Sequence, residues 1–131
     1  MKIIFSLLLL VCFIDAQIVV VTNKNSQINS IPKEIVQYLY LAKIDKVESL
    51  KVKPILSDDK NLHSEFCNSI LCKSESQYNS YWARLVFTGR KPIAKRLESQ
   101  EIVTKLQELN TIAYIEKKDL REEWKVNYEE N

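Results

Sequence analysis

Gly89 is the only glycine in this chain of 131 residues, and it restricts the local fold more than any other residue. A chain so poor in glycine uses one where the backbone requires it, most simply at a positive φ. Apolar residues precede Gly89 at helical spacing: Tyr81, Trp82, Leu85 and Val86. The segment therefore predicts an amphipathic helix that packs on a core and closes in a Phe-Thr-Gly turn.

The first sixteen residues have the pattern of a secretory signal peptide. Lys2 gives a positive start, an apolar run extends from Ile3 to Ile14, and Ala16 is a small residue at the expected cleavage site. The run is too short for a transmembrane helix, and no later segment is apolar enough to span a membrane. We expect residues 1–16 to be removed and residues 17–131 to form the exported domain.

Composition limits the class of protein. Nineteen basic residues and seventeen acidic ones give a net charge of +2. A nucleic-acid partner would favour a strong basic excess, and binding to a membrane surface would favour a larger charge than this. The residues after the signal peptide suffice for one domain with one core.

Strand-like and helix-like segments alternate along the rest of the chain. This alternation predicts an α/β fold with a single sheet covered by helices. Pro54 indicates that the second strand lies at a sheet edge. The expected strands are 18–21, 50–56, 111–115 and 124–128. The expected helix caps are Ser30, Ser57 to Asp59, and Ser74 with Gln77, and a further helix is expected to start at Ser99.

The segment 81–89, followed by Pro92, also carries a family resemblance. Tyr-Trp-x-Arg-Leu-x-Phe-Thr-Gly resembles the signature of short, single-domain proteins related to periplasmic phosphate-binding proteins. Segments 38–43, 66–74 and 112–115 resemble further family motifs in the same order. The resemblance implies one lobe-like α/β unit of the periplasmic-binding-protein type, located in the periplasm. The matching motif residues are Tyr81, Trp82, Arg84, Phe87, Thr88 and Gly89.

The resemblance makes anion binding the first hypothesis for chemistry. In the large phosphate-binding proteins, phosphate lies between two lobes and is held by hydroxyls, backbone N–H groups at helix N-termini, an Arg and an Asp. Such helix termini offer unpaired donors and a positive dipole end. The matching loop here is 56–64, whose candidate ligands are Ser57, Lys60, Asn61, His63 and Ser64.

This loop departs from the family pattern in ways that disfavour phosphate. It contains no glycine, and Asp58 and Asp59 would repel an anion at the helix terminus. His63 stands where relatives have an Arg, and no second lobe closes over the loop. Two interpretations stay open: a weak phosphate site or a solvated helix cap.

Cys67 and Cys72 are the two cysteines that follow the signal peptide. An oxidising compartment favours a disulfide between them. Residues five apart point to different faces of a continuous helix, but Cys72 stands where the resembled family has Gly, just past a helix end. If the chain turns back there, the sulfurs meet. The alternative is a buried apolar Cys67 and a chance replacement at Cys72.

Arg84 is a further candidate, either as a bidentate clamp on an anion or partner carboxylate or as a structural tie to a neighbouring group. We favour the structural tie.

The sequence gives little support for an enzymatic function. The chain has one histidine and none of the common nucleophile, phosphate-loop or metal-ligand motifs. We expect no catalytic residues, no metal and no cofactor.

The remaining hypothesis is protein–protein interaction. Six tyrosines, together with Trp124, are many amphipathic aromatic residues for a small domain, and such residues are enriched at interfaces. We therefore expect a non-enzymatic interaction module with a periplasmic or envelope protein as partner, as a subunit of a transport, secretion or motility complex. The alternative is a solute-binding protein for phosphate or a similar oxyanion.

Overall fold

Strand β1 (Ile18–Asn23) lies inside a four-stranded sheet, because it is apolar on both faces. Ile18 and Val20 pack into one core cluster, and Val19 and Val21 pack into another. The computed structural model describes residues 17–90 and 95–130. The expected signal peptide lies outside these ranges.

The sheet has the order β4-β7-β1-β8. Strands β7 (Thr111–Glu116) and β8 (Trp124–Glu129) both pair antiparallel with β1. Strand β4 (Lys53–Pro54) pairs parallel with β7 and forms one edge. Pro54 therefore lies on an edge strand, as the sequence predicts.

Helices cover both faces of the sheet, which confirms the predicted α/β fold. Helices α1 (Lys33–Tyr40), α2 (Lys60–Phe66) and α3 (Glu75–Phe87) contribute to one core cluster, and α4 (Ser99–Lys105) contributes to the other. Shorter elements connect them: β2 (Lys46–Val47), β3 (Leu50–Lys51), β5 (Leu56–Ser57), β6 (Arg96–Leu97), a π-helical turn (Cys67–Leu71) and a 3₁₀ turn (Lys117–Asp119).

Several predicted details differ from the structure. The expected strand 50–56 is divided among β3, β4 and the start of β5, because its hydrogen-bond partners change along its length. Helix α1 begins after Pro32 without a side-chain cap, so Ser30 is not its N-cap. The capping box of α3 is confirmed: Gln77 N–H donates to Ser74 Oγ (3.1 Å), and Ser74 N–H donates to Gln77 Oε1 (2.9 Å).

Helix α3 packs less fully than its sequence predicts. Gly89 follows the helix with φ +70°, as expected. However, Tyr78 is the one buried residue of α3, and the apolar residues that follow it are half-buried or exposed. Among the other elements, the helix contacts mainly the π-helical turn.

The predicted disulfide is not formed, since both cysteines are free thiols. The chain does turn at Cys72, which has a left-handed backbone (φ 56°). The turn leaves Cys67 buried beside His63, with 3.7 Å between Sγ and Nε2, and leaves Cys72 exposed. The two sulfurs therefore face different surroundings.

No helix in ranges 17–90 and 95–130 combines the length and hydropathy needed to cross a bilayer.

Candidate functional site

The loop that joins β5 to α2 uses its own backbone donors internally. Ser57 N–H donates to Tyr114 Oη (2.9 Å), and Asp58 N–H donates to the carbonyl of Leu97 (2.9 Å). Asp59 N–H donates to Ser57 Oγ (3.1 Å). These three amides are therefore not free to cradle an anion, which agrees with the loss of glycine from this loop.

Asp59 caps α2 with its own carboxylate. Oδ1 accepts a hydrogen bond from Leu62 N–H at 3.1 Å. A negative group at this helix end satisfies an orphan donor and interacts favourably with the dipole. The side chain thus occupies the position where a phosphate would meet the helix.

The five predicted ligands do not come together. Ser57 is buried at the start of the loop, Lys60 and Asn61 are exposed on α2, and Ser64 is half-buried. His63 points into the core and is only 1% exposed. Ser57 lines a polar cavity, whereas His63 lines a separate groove beside α3, so the two residues do not share one site.

His63 belongs to a buried polar network. Its Nδ1 lies 2.5 Å from Tyr114 Oη, which already accepts the Ser57 N–H. The Tyr114 hydroxyl therefore donates to Nδ1, and the imidazole keeps its proton on Nε2, toward Cys67. Burial lowers the pKa of His63, and Arg96 lowers it further, against a smaller opposing effect of Glu75. A neutral, buried imidazole offers no positive charge to a phosphate.

Cys67 is equally unsuited to nucleophilic chemistry. Burial raises the pKa of its thiol to about 11. The thiolate is the reactive form of cysteine, and it is disfavoured here.

A cavity of about 310 Å³ opens beside the same loop, on the α4 side of the sheet. It brings Ser57 and Asp59 together with Ser99, at the start of α4, and Arg121, before β8. Leu62, Ile102 and Trp124 supply apolar walls, while Glu116 and Asp119 add two carboxylates. Hydroxyls, a guanidinium and carboxylates therefore line one cavity that is open to solvent.

Sequence reasoning missed Ser99 and Arg121 as site residues. Arg121 lies in a charged run that reads as solvated surface. The guanidinium in fact lies 5.4 Å from the Trp124 ring, and Nη1 is 3.5 Å from Glu123. These two contacts hold Arg121 at the rim of the cavity. The neighbouring residues in the sequence give no sign of this position.

The family-motif residues lie elsewhere, on α3. Tyr81 donates its hydroxyl proton to the Leu41 carbonyl (2.6 Å), and Thr88 Oγ1 donates to the Arg84 carbonyl (3.0 Å) at the helix end. The Arg84 side chain is exposed and makes no ion pair within the described part of the chain. The expected bond between the Arg84 guanidinium and a neighbouring group is therefore not seen. Among residues 17–90 and 95–130, no trio of potential ligands could hold a metal ion.

Comparison of the structure with solved proteins finds related folds, among them two phosphate-transport proteins. The first is from Clostridium perfringens and is described as a phosphate ABC transporter substrate-binding protein with bound phosphate. It has a TM-score of 0.63 at 13% identity and covers 84% of this chain. The second is an ABC-type phosphate transport receptor from Vibrio cholerae, with a TM-score of 0.52 at 11% identity, again covering 84%.

The chain spans less than half of each neighbour, 43% and 44% of their lengths. No family model matches the sequence. No curated protein matches it significantly. The fold is thus that of one lobe of a phosphate-binding substrate-binding protein, as the sequence resemblance predicts.

Proposed function

We propose that this chain is a non-enzymatic solute-binding lobe that takes a protonated oxyanion such as hydrogen phosphate. The observation that carries the proposal is the cavity in which Ser57, Ser99, Arg121 and Asp59 meet. Two hydroxyls and a guanidinium can donate to oxyanion oxygens. A carboxylate accepts hydrogen bonds only, so it favours an oxyanion that keeps a proton.

The ligand of one neighbour supports the same proposal. That neighbour contains bound phosphate, and this chain spans 43% of its length. We infer that the lobe acts in the periplasm and that a second lobe or protein surface closes the cavity. Three carboxylates line it, against a single guanidinium, so affinity for phosphate by the lobe alone should be weak.

Isothermal titration with phosphate tests the proposal, with sulfate as the matched anion because sulfate carries no proton at neutral pH. We expect saturable binding of phosphate and at least about tenfold weaker binding of sulfate. Arg121→Gln should weaken phosphate binding by about tenfold, the usual scale for a charged hydrogen bond. Arg84→Gln, which removes an arginine far from the cavity lining, should leave it unchanged. No heat at millimolar phosphate would contradict the proposal.

A second candidate function is protein–protein interaction as a subunit of an envelope complex. The specific observation that favours it is Phe87, whose side chain is 92% exposed on α3. Large exposed apolar surface marks interaction sites more often than chance. Crosslinking pull-down of the native protein, compared with Phe87→Ser, tests this candidate. Loss of one specific envelope protein is the expected result, and an unchanged set of captured proteins would contradict it.

A further inference from the structure

The second half of α3 borders an apolar groove that no part of the described chain fills. The α3 groove has a volume of about 440 Å³ and is lined mainly by Leu56, Tyr78, Trp82, Val86, Phe87 and Arg96. Phe87 stands at its rim, 92% exposed, while the other exposed large apolar side chains of the described residues range from 39% to 50%. Exposure of one large ring beside an apolar groove is typical of a docking surface.

Arg96 fixes one wall of this groove. Its Nε donates to the Ser57 carbonyl (2.8 Å), and its Nη1 donates to Glu75 (3.4 Å). The remaining nitrogen, Nη2, is closed to solvent. An incoming group therefore meets the apolar surface of the groove and not a free donor of this guanidinium.

The adjoining surface is basic. A second groove of about 380 Å³ shares Leu56 and Trp82 with the α3 groove. Its rim carries three lysines, Lys53, Lys95 and Lys105, and a single carboxylate, Asp45. Two copies of this chain joined through these grooves would bring like charges together, which opposes self-association. A flat membrane surface would not fill a concave groove.

We propose that the α3 groove binds a segment of a partner protein that carries a large apolar side chain beside carboxylates. The apolar side chain packs on Trp82 and Phe87, and the carboxylates pair with the lysines of the adjoining rim. This inference deepens the second candidate function. It does not depend on the oxyanion cavity, so either proposal can fail while the other holds.

Fluorescence anisotropy with the whole protein tests the proposal. The probe is a fluorescein-labelled peptide of alternating Glu with Leu and Phe, and the matched peptide has Lys in place of each Glu. We expect saturable binding of the acidic peptide and at least about tenfold weaker binding of the basic one. Binding of the acidic peptide should also weaken as salt is raised, because the lysines are exposed.

Three variants locate the binding site. Phe87→Ser should weaken binding by at least about tenfold, and Lys53→Gln, which removes one cation of the basic rim, by roughly threefold. Leu109→Ser changes a half-exposed apolar residue outside the groove and should have no effect. Circular dichroism establishes that each variant is folded.

Other occupants of the groove give different results. Equal binding of both peptides, no binding, or an unchanged affinity in Phe87→Ser would overturn the proposal. If sedimentation shows a dimer that Phe87→Ser abolishes, the occupant of the groove is a second copy of this chain and not an acidic segment. If the protein binds vesicles of anionic lipid through Phe87 but does not bind the peptide, the occupant of the groove is a membrane surface and not an acidic segment.

Discussion

His63 joins helix α2 to strand β7 as a buried, neutral side chain. It contacts the Tyr114 hydroxyl on β7 and Cys67 on the next turn, and the Tyr78 ring on α3 lies 6.0 Å away. Arg96 and Glu75 are the charged groups that influence it, and they form an ion pair with each other. Burial and the Arg96 charge both favour the neutral ring, so charging it would destabilise this network.

We predict that His63 makes stability fall on mild acidification. Its pKa in the folded state is below the ordinary value of 6.5, so the unfolded chain takes up the proton first. Stability is therefore unaffected by this group above about pH 6.5 and declines as pH falls below it, by at most about 1.4 kcal/mol per pH unit. Urea unfolding at several pH values measures this slope. His63→Gln should flatten it, and equal slopes in both proteins would contradict the account.

The two cysteines should differ in reactivity. Cys72 is exposed, whereas Cys67 is buried with its pKa raised to about 11. Brief treatment of the native protein with iodoacetamide, followed by peptide mass spectrometry, should show modification at Cys72 and almost none at Cys67. Denaturation should make both react. Modification of neither cysteine after denaturation without reductant would indicate the disulfide that the sequence suggested.

Cys72 also holds a backbone conformation that suits glycine better. Its φ of 56° is left-handed, which costs a residue with a Cβ about 1 kcal/mol. Cys72→Gly should therefore raise the free energy of unfolding by roughly 0.5 to 1 kcal/mol. Ala83→Gly, on an exposed position inside α3, should lower it by about 1 kcal/mol. If both variants change the free energy of unfolding in the same direction, the interpretation that Cys72 holds an unfavourable backbone conformation is wrong.

At the scale of elements, the start of α3 is fixed by its capping box. Ser74→Ala removes the acceptor for Gln77 N–H and should lower the free energy of unfolding by about 1 kcal/mol. Ser80→Ala, an exposed serine within the same helix, should change it by less than about 0.5 kcal/mol. Thermal and urea unfolding measure both. Similar losses in the two variants would mean that the cap is not what defines this end of α3.

The elements that sequence predicts well are those with strong local signals. Apolar runs mark β1 and β7, the serine cap marks α3, and Gly89 marks the helix end. The π-helical turn after α2 has no such signal, because it forms where α2 meets the core. Strand 50–56 is divided for a similar reason: its partners come from distant parts of the chain.

The candidate site was harder to predict than the fold. The sequence located the Ser57 loop and its lack of a glycine cradle, because both are local properties. It placed His63 in that loop, although the side chain points into the core toward Tyr114. It missed Ser99 and Arg121, since residues more than forty positions apart come together only through the order of the strands.

At the scale of the whole molecule, two surfaces carry the proposed functions. The polar cavity lies where β5 and β7 meet α2 and α4, and the α3 groove adjoins the basic rim. The chain spans 43% of its phosphate-containing neighbour. The account predicts that occupancy of the α3 groove does not require oxyanion in the cavity.

A crystal structure of the protein grown with phosphate tests the central claim most directly. The account predicts an oxyanion in the cavity, within hydrogen-bond distance of Ser57, Ser99 and Arg121, with one of its oxygens facing a carboxylate. An empty cavity at saturating phosphate, or phosphate held only by exposed Lys60 and Asn61, would contradict it.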